Sequence, residues 1–334
     1  METDLKRIFG TLLFAACLSP VTNVLALGNF ASDPAVIAFS RDMEQRHGFN
    51  ADTLLSQFAQ TQSNAKVLQL IKPPASPTQR SWERYRPRFL NSQRIDGGVR
   101  FWQENRIALT RARAIYGVPE EVIVAIIGVE TVYGRNTGNF SVLEALATLA
   151  FNYPRRADFF REELEQFLLL ARENNIDALA IKGSFAGAIG IPQFMPGSQR
   201  RYAVDFDGDQ KVDLSGSVED AIGSVARFLE QHGWQTGQPV AVPAQISGEP
   251  ERASIEAGIR PSLKASDLAQ RGITGNVDDS ATVALIDLVS PGRATEYWLG
   301  FENFYVITRY NRSSFYAMSV FQLAEEIRKL TPAN

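Results

Sequence analysis

One acidic side chain interrupts the most apolar segment of this 334-residue chain. Glu130 lies near the end of the run 122–134, in which almost all other side chains are hydrophobic. The run follows Pro119 and two glutamates, which are typical of the first turn of a helix, and it closes on Gly134, which is typical of a helix C-terminus. We therefore predict one largely buried helix that carries Glu130.

Burial of Glu130 would have a chemical consequence, because a poorly hydrated carboxyl group resists ionisation. Its pKa should then rise toward neutrality, as a general acid requires. A glutamate that reaches solvent at the helix end, or that pairs with Arg135, would explain the same segment without a catalytic role. The segment alone leaves both interpretations open.

The composition excludes several classes of function. A formal net charge of −3 and the lack of a long basic run argue against nucleic acid as a partner. Two histidines, His47 and His232, and one cysteine, Cys17, cannot form a His/Cys zinc site, a CxxC pair or an internal disulfide. A Ser-His-Asp triad would need one of these histidines, and His232 follows an amphipathic run where a helix cap is expected.

The first residues predict export. Two basic residues precede the apolar run 8–18, and Val-Leu-Ala at 24–26 has the spacing that a signal peptidase reads, so residues 1–26 are predicted to be a signal peptide for a periplasmic protein. The sequence around Cys17 also resembles a bacterial lipobox, and lipidation there would anchor the protein to the membrane. No later stretch approaches the roughly 20 apolar residues of a spanning helix.

The rest of the chain predicts a mainly α fold of the α+β class. Ser-Asp-Pro at 32–34 predicts a helix that ends near Gly48, capping by Asp52 predicts the next helix, and the segments 158–174 and 217–232 each carry one apolar face. The pattern changes after Trp234. Here β-branched residues gather between glycines and prolines at 239–243, 281–289 and 305–308, which predicts a small antiparallel sheet, before a final helix from about Ser314.

Two further segments have unusual compositions. Residues 182–197 combine small residues and prolines with isolated polar side chains, a composition that lets another backbone or a ligand come close; a tight Gly/Ala helix contact followed by a turn is the alternative. Residues 308–316 bring Tyr310, Asn311 and Tyr316 together. Carbohydrate sites favour this pairing, because sugar rings stack on aromatic faces while hydroxyl groups need directional partners.

Four motifs carry a family resemblance. They are Gly-Val-Glu-Thr-Val-Tyr-Gly-Arg at 128–135, Phe-Asn-Tyr-Pro-Arg-Arg at 151–156, Lys-Gly-Ser-Phe-Ala-Gly-Ala-Ile-Gly-Ile-Pro-Gln-Phe-Met-Pro at 182–196 and Thr-Arg-Tyr-Asn at 308–311. In this order they resemble the B-type lytic transglycosylases of bacteria, the lysozyme-like, murein-cleaving enzymes of glycoside hydrolase family 103. The resemblance covers the chain from about Ala31 to the C-terminal helix.

The resemblance implies a lysozyme-like core with an N-terminal helical domain and a small antiparallel β domain. We accordingly expect a helical domain at 31–95, a catalytic core with an EF-hand-like loop at 96–235, a β domain at 236–300, and a segment at 301–334 that returns to the core and the helical domain.

The matching positions also imply roles for individual residues. Glu130 is the expected acid and base, and Ser184 is its expected hydrogen-bonding neighbour. The residues expected to line the glycan cleft are Tyr85, Gln193, Tyr310, Asn311 and Tyr316. Phe228 stands where the family pattern predicts a tyrosine, so a hydrogen bond at that edge of the cleft is in doubt.

Arg155 and Arg156 have two interpretations. The stem peptides of peptidoglycan carry carboxylates, and an arginine fork binds carboxylates well. A surface pair at the start of a helix explains these arginines equally well.

The resemblance explains why no second acid stands out in the motifs. Most glycosidases pair two carboxylates, whereas a lytic transglycosylase uses the C6 hydroxyl of its own substrate sugar as nucleophile and needs no catalytic cofactor. We expect cleavage of the β-1,4 bond between N-acetylmuramic acid and N-acetylglucosamine, with formation of a 1,6-anhydro product. The alternatives are a muramidase that admits water and a silent murein-binding scaffold. Expected partners are peptidoglycan glycan strands and possible other cell-wall enzymes, and the protein is expected to be a monomer.

An acidic loop is the last motif. Asp205, Asp207 and Asp209 alternate like the first ligands of an EF-hand, which hold a hard cation such as Ca²⁺ together with a backbone carbonyl, here that of Lys211. Positions 6 and 12 of a regular loop are occupied by glutamine and glycine, and the resemblance implies Asp220 as the later carboxylate. A metal-free Asx-turn is the alternative.

Overall fold

The computed structural model describes residues 29–73, 80–248, 250 and 252–331. The predicted signal peptide at 1–26 and Cys17 lie outside these residues. Among the helices of the described residues, none is both long enough and apolar enough to cross a membrane.

The first helices form where the capping residues predict them. Asp33 accepts a hydrogen bond from the backbone N–H of Ala35 at the start of α1 (Pro34–His47), which ends at Gly48 in the left-handed conformation. For the second helix, the predicted capping residue, Asp52, was wrong. Asn50, two residues before Asp52, accepts the hydrogen bond from Thr53, because an asparagine just outside the first turn can reach the free N–H groups.

Helices dominate the rest of the described chain. After α1 they are α2 (Ala51–Phe58), α3 (Ala65–Leu70), α4 (Trp82–Tyr85), α5 (Ser92–Glu104), α6 (Arg106–Tyr116), α7 (Glu120–Thr131), α8 (Val142–Asn152), α9 (Ala157–Glu173), α10 (Pro196–Tyr202), α11 (Val218–Gln231), α12 (Arg252–Glu256), α13 (Ala265–Gln270), α14 (Glu302–Tyr310) and α15 (Ser314–Leu330). Single 3₁₀ turns lie at Phe30–Ser32, Arg86–Arg88 and Pro154–Arg156.

The strands form two antiparallel sheets. A short pair joins β1 (Phe140–Ser141) to β2 (Lys182–Gly183), and a second sheet has the order β4-β6-β7-β3-β5. Its strands are β3 (Ala241–Ile246), β4 (Leu263–Lys264), β5 (Ile273–Gly275), β6 (Thr282–Leu288) and β7 (Glu296–Gly300). The mainly α class with a small antiparallel sheet is therefore confirmed.

One predicted strand was wrong. Residues 305–308 lie in α14, where Phe304, Ile307 and Thr308 are buried at the spacing of one helix face. A short apolar run does not distinguish a buried helix from a strand, so its β-branched residues were a misleading signal.

Hydrophobic packing forms three clusters. The largest surrounds α7, whose residues 122–129 are all buried, and it includes residues of α5, α6, α11, α14 and α15. The second packs α1, α2 and α3 against α8 and α9, and the third fills the five-stranded sheet. Trp82 belongs to the first cluster and Phe58 to the second, so the segment 31–95 contributes to both. The proposed domain boundaries stay predictions.

A buried asparagine connects the helical core to the β sheet. Asn303 is 0% exposed, and its side-chain amide binds the backbone of the 235–238 linker through Gln235 N–H at 2.7 Å, Gln235 O at 2.9 Å and Gln238 O at 2.8 Å. Gln235 O also accepts a hydrogen bond of 3.1 Å from Gln238 N–H, so the amide adds to a turn that the linker already forms. Asn303 therefore fixes the path of the chain between the two parts.

We predict that Asn303→Ala lowers the free energy of unfolding by about 2–4 kcal/mol, because the linker loses three hydrogen bonds to a buried amide group. Urea unfolding followed by circular dichroism measures this loss. The exposed Asn276→Ala serves as the control and should stay within about 0.5 kcal/mol of the wild type. Equal stability of the two variants would show that Asn303 does not hold the linker.

Candidate active site

Glu130 lies in the last turn of α7 and meets the first turn of α15. Its Oε1 atom accepts a hydrogen bond of 2.6 Å from the hydroxyl group of Tyr316. The N-cap residue Ser313 accepts a hydrogen bond from the backbone N–H of Tyr316, which fixes the start of α15 at this point. Two helices that are distant in sequence thus define the position of one carboxyl group.

Burial raises the pKa of Glu130 from its ordinary value of 4.5 to about 7, and the hydrogen bond from Tyr316 opposes part of this rise. The physical cause is the loss of hydration, which destabilises the carboxylate more than the neutral acid. The expected elevation of this pKa is supported by the geometry. Near neutral pH the group can both hold and release a proton, as a general acid and base must.

Three tyrosines of the predicted cleft surround this carboxyl group. The rings of Tyr310 and Tyr316 lie nearly parallel, with centroids 6.5 Å apart, and the Tyr310 hydroxyl donates to the carbonyl of Pro192 at 2.6 Å. Tyr85 lies near enough that, after burial, the charge of Glu130 raises its pKa further. The structure therefore brings Tyr85, Tyr310 and Tyr316 together around Glu130.

Ser184 takes part in the turn at 184–188. Its hydroxyl oxygen accepts hydrogen bonds from the backbone N–H groups of Ala188 at 3.0 Å and Ala186 at 3.3 Å. In the described residues, the side-chain hydrogen bond to Glu130 comes from Tyr316. Because a hydroxyl group that accepts these bonds still has its own proton to donate, the expected hydrogen bond from Ser184 to Glu130 stays a prediction.

Gln193 also serves the loop that carries it. It adopts a left-handed backbone conformation with a φ of 53°, and its side-chain amide donates to the carbonyls of Thr137 and Gly190, both at 2.9 Å. The close backbone approach predicted for this segment is present. A Cβ atom on Gly138 would lie 2.1 Å from the carbonyl oxygen of Gly183.

Asn311 follows the last residue of α14 and is exposed. It is the next residue in the chain after Tyr310. Its predicted contact with substrate stays a prediction.

Phe228 packs behind the tyrosines. Its ring lies 4.9 Å from that of Tyr310, 5.5 Å from that of Phe194 and 4.0 Å from that of His232. His232 stands at the C-cap of α11, as predicted. Phe228 is buried and has no hydroxyl group, so it supports Tyr310 by ring packing alone.

Arg155 and Arg156 are exposed in the 3₁₀ turn that precedes α9. The guanidinium group of Arg156 lies 4.2 Å from the centre of the Phe159 ring. This contact places Arg156 on the surface of the second hydrophobic cluster. The role of both arginines in binding stem peptides stays a prediction.

The acidic loop gathers three of its predicted ligands. One carboxylate oxygen each from Asp205, Asp207 and Asp209 lies within 4.8 Å of the others, which is a donor set that suits a hard cation. Backbone N–H groups of the loop bind the same side chains, and Lys211 donates to Asp209 at 2.8 Å. A metal-free Asx-turn, the alternative interpretation of this loop, would form the same kind of hydrogen bonds.

Asp220 is not part of that group of three carboxylates. It is 1% exposed on α11, and it accepts hydrogen bonds from the backbone N–H groups of Phe206 at 2.7 Å and Asp213 at 2.8 Å. The carboxylate of Asp220 therefore fastens both ends of the loop to the core. Its proposed place among the metal ligands stays a prediction.

The end of α7 differs from the predicted one. The helix stops at Thr131 rather than at Gly134, and both Val132 and Tyr133 adopt left-handed backbone conformations. The Thr131 hydroxyl donates to Ile191 O at 2.8 Å and accepts from Gly134 N–H at 2.9 Å. Glycine is the usual residue for that conformation, so the sequence favoured the wrong position.

The raised pKa predicts a pH dependence of stability. The folded protein keeps a proton on Glu130 that the unfolded chain releases above about pH 4.5, so the wild type should lose stability as the pH rises toward about 7. Glu130→Gln cannot titrate. The difference in unfolding free energy between the two proteins should therefore change by on the order of 1–3 kcal/mol between pH 4.5 and 8, in favour of the variant.

Urea titrations at several pH values measure this difference. A difference that is constant over the whole range would mean that the pKa of Glu130 is the same in the folded and unfolded states.

The chain is similar over most of its length to known proteins. The transglycosylase SLT domain family matches residues 31–325. Membrane-bound lytic murein transglycosylase B of Escherichia coli strain K12 is 43% identical over 343 residues, which covers 98% of this chain and 91% of the relative.

Solved structures extend the comparison to three dimensions. Soluble lytic transglycosylase SltB1 from Pseudomonas aeruginosa is 47% identical with a TM-score of 0.83, over 89% of this chain and 99% of that one. Escherichia coli lytic transglycosylase Slt35 in complex with calcium is 42% identical with a TM-score of 0.81, over 94% of this chain and 99% of that one. This chain therefore belongs to the transglycosylase SLT domain family.

Proposed function

We propose that this protein is a peptidoglycan lytic transglycosylase in which Glu130 serves as both acid and base. The observation that carries the proposal is a carboxyl group whose pKa burial raises to about 7, held by the Tyr316 hydroxyl among cleft tyrosines. Membership of the family supplies the reaction class. The substrate is the β-1,4 bond between N-acetylmuramic acid and N-acetylglucosamine.

The reaction needs one carboxyl group in two successive states. Glu130 first gives its proton to the glycosidic oxygen, and the bond from that oxygen to C1 of the muramyl residue breaks. The C6 hydroxyl of the same sugar then forms a bond to C1 and gives its proton to the Glu130 carboxylate. The 1,6-anhydro ring closes and the enzyme returns to its starting protonation state, with no external water consumed.

Proximity replaces a second carboxylate in this scheme. The attacking hydroxyl group belongs to the sugar that carries C1, so its effective concentration is high without any residue to activate water. Among the described side chains, Tyr316 is the hydrogen-bonding partner of Glu130, and it is a donor rather than a second acid. Burial raises the pKa of Tyr316 well above its ordinary value, so the tyrosine keeps the proton that it donates.

The surrounding residues would bind the glycan. The aromatic faces of Tyr85, Tyr310 and Tyr316 suit stacking against sugar rings. Asn311, exposed beside Tyr310, would orient the muramyl acetamido group, whose oxygen stabilises positive charge at C1. Gln193 would line the glycan cleft, Ser184 would hydrogen-bond to Glu130, and Arg155 and Arg156 would bind carboxylates of the stem peptides.

Two rival functions make different predictions. A muramidase that admits water would release free reducing muramic acid, whereas the proposed reaction releases anhydro-muramyl ends. A silent murein-binding scaffold would release neither. The proton-holding carboxyl group favours an enzyme, because a binding surface gains nothing from a raised pKa.

The acidic loop is proposed to hold one structural Ca²⁺. The three grouped carboxylates of Asp205, Asp207 and Asp209 support this role, with the Lys211 carbonyl and Asp220 as further ligands. A relative of this chain, Slt35, has been solved in complex with calcium. The ion would brace the loop that leads into α11 and would take no part in the chemistry.

Export to the periplasm through residues 1–26 is also a proposal, with lipidation at Cys17 as the membrane-attached alternative. The substrate lies in that compartment, and a relative of this chain carries the name membrane-bound lytic murein transglycosylase. If the protein is lipidated at Cys17, Cys17→Ser should move it out of the membrane fraction. If it is not lipidated, the substitution should leave its distribution between the fractions unchanged.

We predict that Glu130→Gln lowers the release of anhydro-muropeptides from purified sacculi by at least roughly 10⁴-fold, because the same group serves as acid and base. Binding to sacculi should persist, since the cleft contacts lie on other residues. Glu121→Gln is the matched control, because Glu121 lies on the same helix and burial raises its pKa too. Mass spectrometry of the products measures both variants.

Glu121→Gln should keep nearly full activity. Substantial release of anhydro-muropeptides by a folded Glu130→Gln protein would move the acid and base to another residue. Water-derived reducing ends from the wild type would favour the muramidase instead.

We predict that millimolar Ca²⁺ raises the melting temperature by a few degrees relative to chelator, because a ligand that binds only the folded state stabilises it. Asp209→Asn should abolish this difference, whereas the exposed Asp278→Asn in the β domain should keep it. Differential scanning calorimetry measures the effect. Identical curves for the wild type with Ca²⁺ and with chelator would remove the metal site.

A further inference from the structure

The backbone directly after Glu130 is strained. Val132 has a φ of 52° and Tyr133 a φ of 61°, and neither residue is a glycine. A β-branched residue in the left-handed region is a rare outlier. Such residues cost on the order of 1–3 kcal/mol each, and they persist only where the surrounding structure enforces them. Something in the fold must therefore hold this turn two residues beyond the catalytic carboxyl group.

The side chain of Tyr133 occupies a groove built from three glycines. A Cβ atom on Gly128 would lie 2.4 Å from the Tyr133 hydroxyl oxygen, one on Gly98 would lie 2.6 Å from it, and one on Gly97 would lie 2.8 Å from the ring. Gly97 and Gly98 belong to α5, and Gly128 belongs to α7. The tyrosine thus fills the space that two facing helices leave open by lacking side chains.

Hydrogen bonds close this arrangement. The Tyr133 hydroxyl donates to the carbonyl of Arg94 at 2.6 Å, and the Nε atom of Arg94 donates to the carbonyl of Gly128 at 3.0 Å. The Arg94 guanidinium also lies 5.3 Å from the centre of the Phe89 ring, which contacts Tyr85 of the cleft. Tyr133 therefore connects the end of α7 to α5 and, through Arg94, to the cleft wall.

The opposite side of the turn is fastened to the loop of the glycan cleft. Thr131 donates to the carbonyl of Ile191, and the next residue, Pro192, accepts the hydroxyl proton of Tyr310. Glu130 directly precedes the residues that make these two attachments. A carboxyl group that must reach both a glycosidic oxygen and a C6 hydroxyl tolerates little displacement, since an error of about 1 Å can cost roughly 10²-fold in rate.

We propose that Tyr133, held in the groove of Gly97, Gly98 and Gly128, is a positioning residue that sets the orientation of the Glu130 carboxyl group. The inference rests on the acid and base role proposed for Glu130. Tyr133 does not contact the reacting atoms. It enforces the left-handed turn that ends α7, and this turn keeps the carboxyl group in its water-poor place beside Tyr316.

Gly128→Ala is the sharpest probe, because the nearest atoms that its Cβ would meet all belong to Tyr133. The variant should lower kcat by roughly 10- to 10²-fold on soluble glycan-strand fragments while KM stays within about threefold. The alkaline limb of the kcat/KM profile should move to lower pH, because a displaced carboxyl group gains hydration and loses part of its raised pKa.

Tyr133→Phe keeps the ring and removes the hydroxyl group, so it should fold and lose roughly fivefold in kcat, the equivalent of one neutral hydrogen bond. In the double variant the two losses should combine to less than their product, because the deleted oxygen is the atom that the new methyl group would strike. Gly275→Ala is the control. Its Cβ would meet Leu299 at 2.8 Å inside the β domain, so it should lower the melting temperature without changing kcat or the pH limb.

The inference is overturned if Gly128→Ala and Tyr133→Phe lower the melting temperature as Gly275→Ala does, yet keep the wild-type kcat and alkaline limb. If Gly128→Ala fails to fold, Tyr133→Phe decides by the same criterion. Glu130→Gln separates this failure from failure of the proposed function. An inactive Glu130→Gln beside fully active groove variants removes only the positioning role, whereas an active Glu130→Gln removes the function on which it rests.

Discussion

The loss of hydration around the Glu130 carboxyl group is the constraint on which the site depends. A carboxylate that leaves water without a compensating charge is unfavourable, and the protein meets this cost by keeping a proton on the group up to about pH 7. Keeping water away requires α7 to be apolar on every side, and this explains why its residues 122–129 are all buried. The helices that surround α7 exist for the same reason, since a helix without a polar face must be covered all round.

The second requirement is a fixed position for the Glu130 carboxyl group. Contacts between segments that are far apart in sequence provide it. Tyr316 reaches Glu130 across 186 residues, Tyr310 reaches Pro192 across 118, and Thr131 reaches Ile191 across 60. Each contact is short and mostly shielded from solvent. Together they hold the half-buried carboxyl group in one position, although it belongs to a helix end, where chains usually fray.

The sequence was informative where a local pattern has a local cause. Periodicity and capping residues predicted α1, α9, α11 and α15 nearly to their ends, and a lone acid in an apolar run predicted the raised pKa of Glu130. The motifs predicted the tyrosines that gather around it. Failures came where tertiary contacts decide: residues 305–308 are helical because they pack against the core.

The same limit applies to the details of the site. The hydrogen bond from Tyr316 to Glu130 and the N–H hydrogen bonds that Ser184 accepts within its own turn were not predicted from the sequence. The turn that ends α7 lies where the Tyr133 side chain fits against Gly97 and Gly98 of another helix, so no rule about single residues could place it. Spacing brings candidate residues together, but hydrogen-bond partners follow from three-dimensional packing.

The proposed mechanism depends on the protonation state of the Glu130 carboxyl group. Difference infrared spectroscopy across a pH titration, with Glu130→Gln as the blank, follows the carbonyl band of the protonated Glu130 side chain directly. The account predicts that this band persists through pH 6 and disappears with a midpoint of about 7. A midpoint near the ordinary value of 4.5 would show a hydrated, ionised carboxylate at neutral pH and would contradict its role as the proton donor.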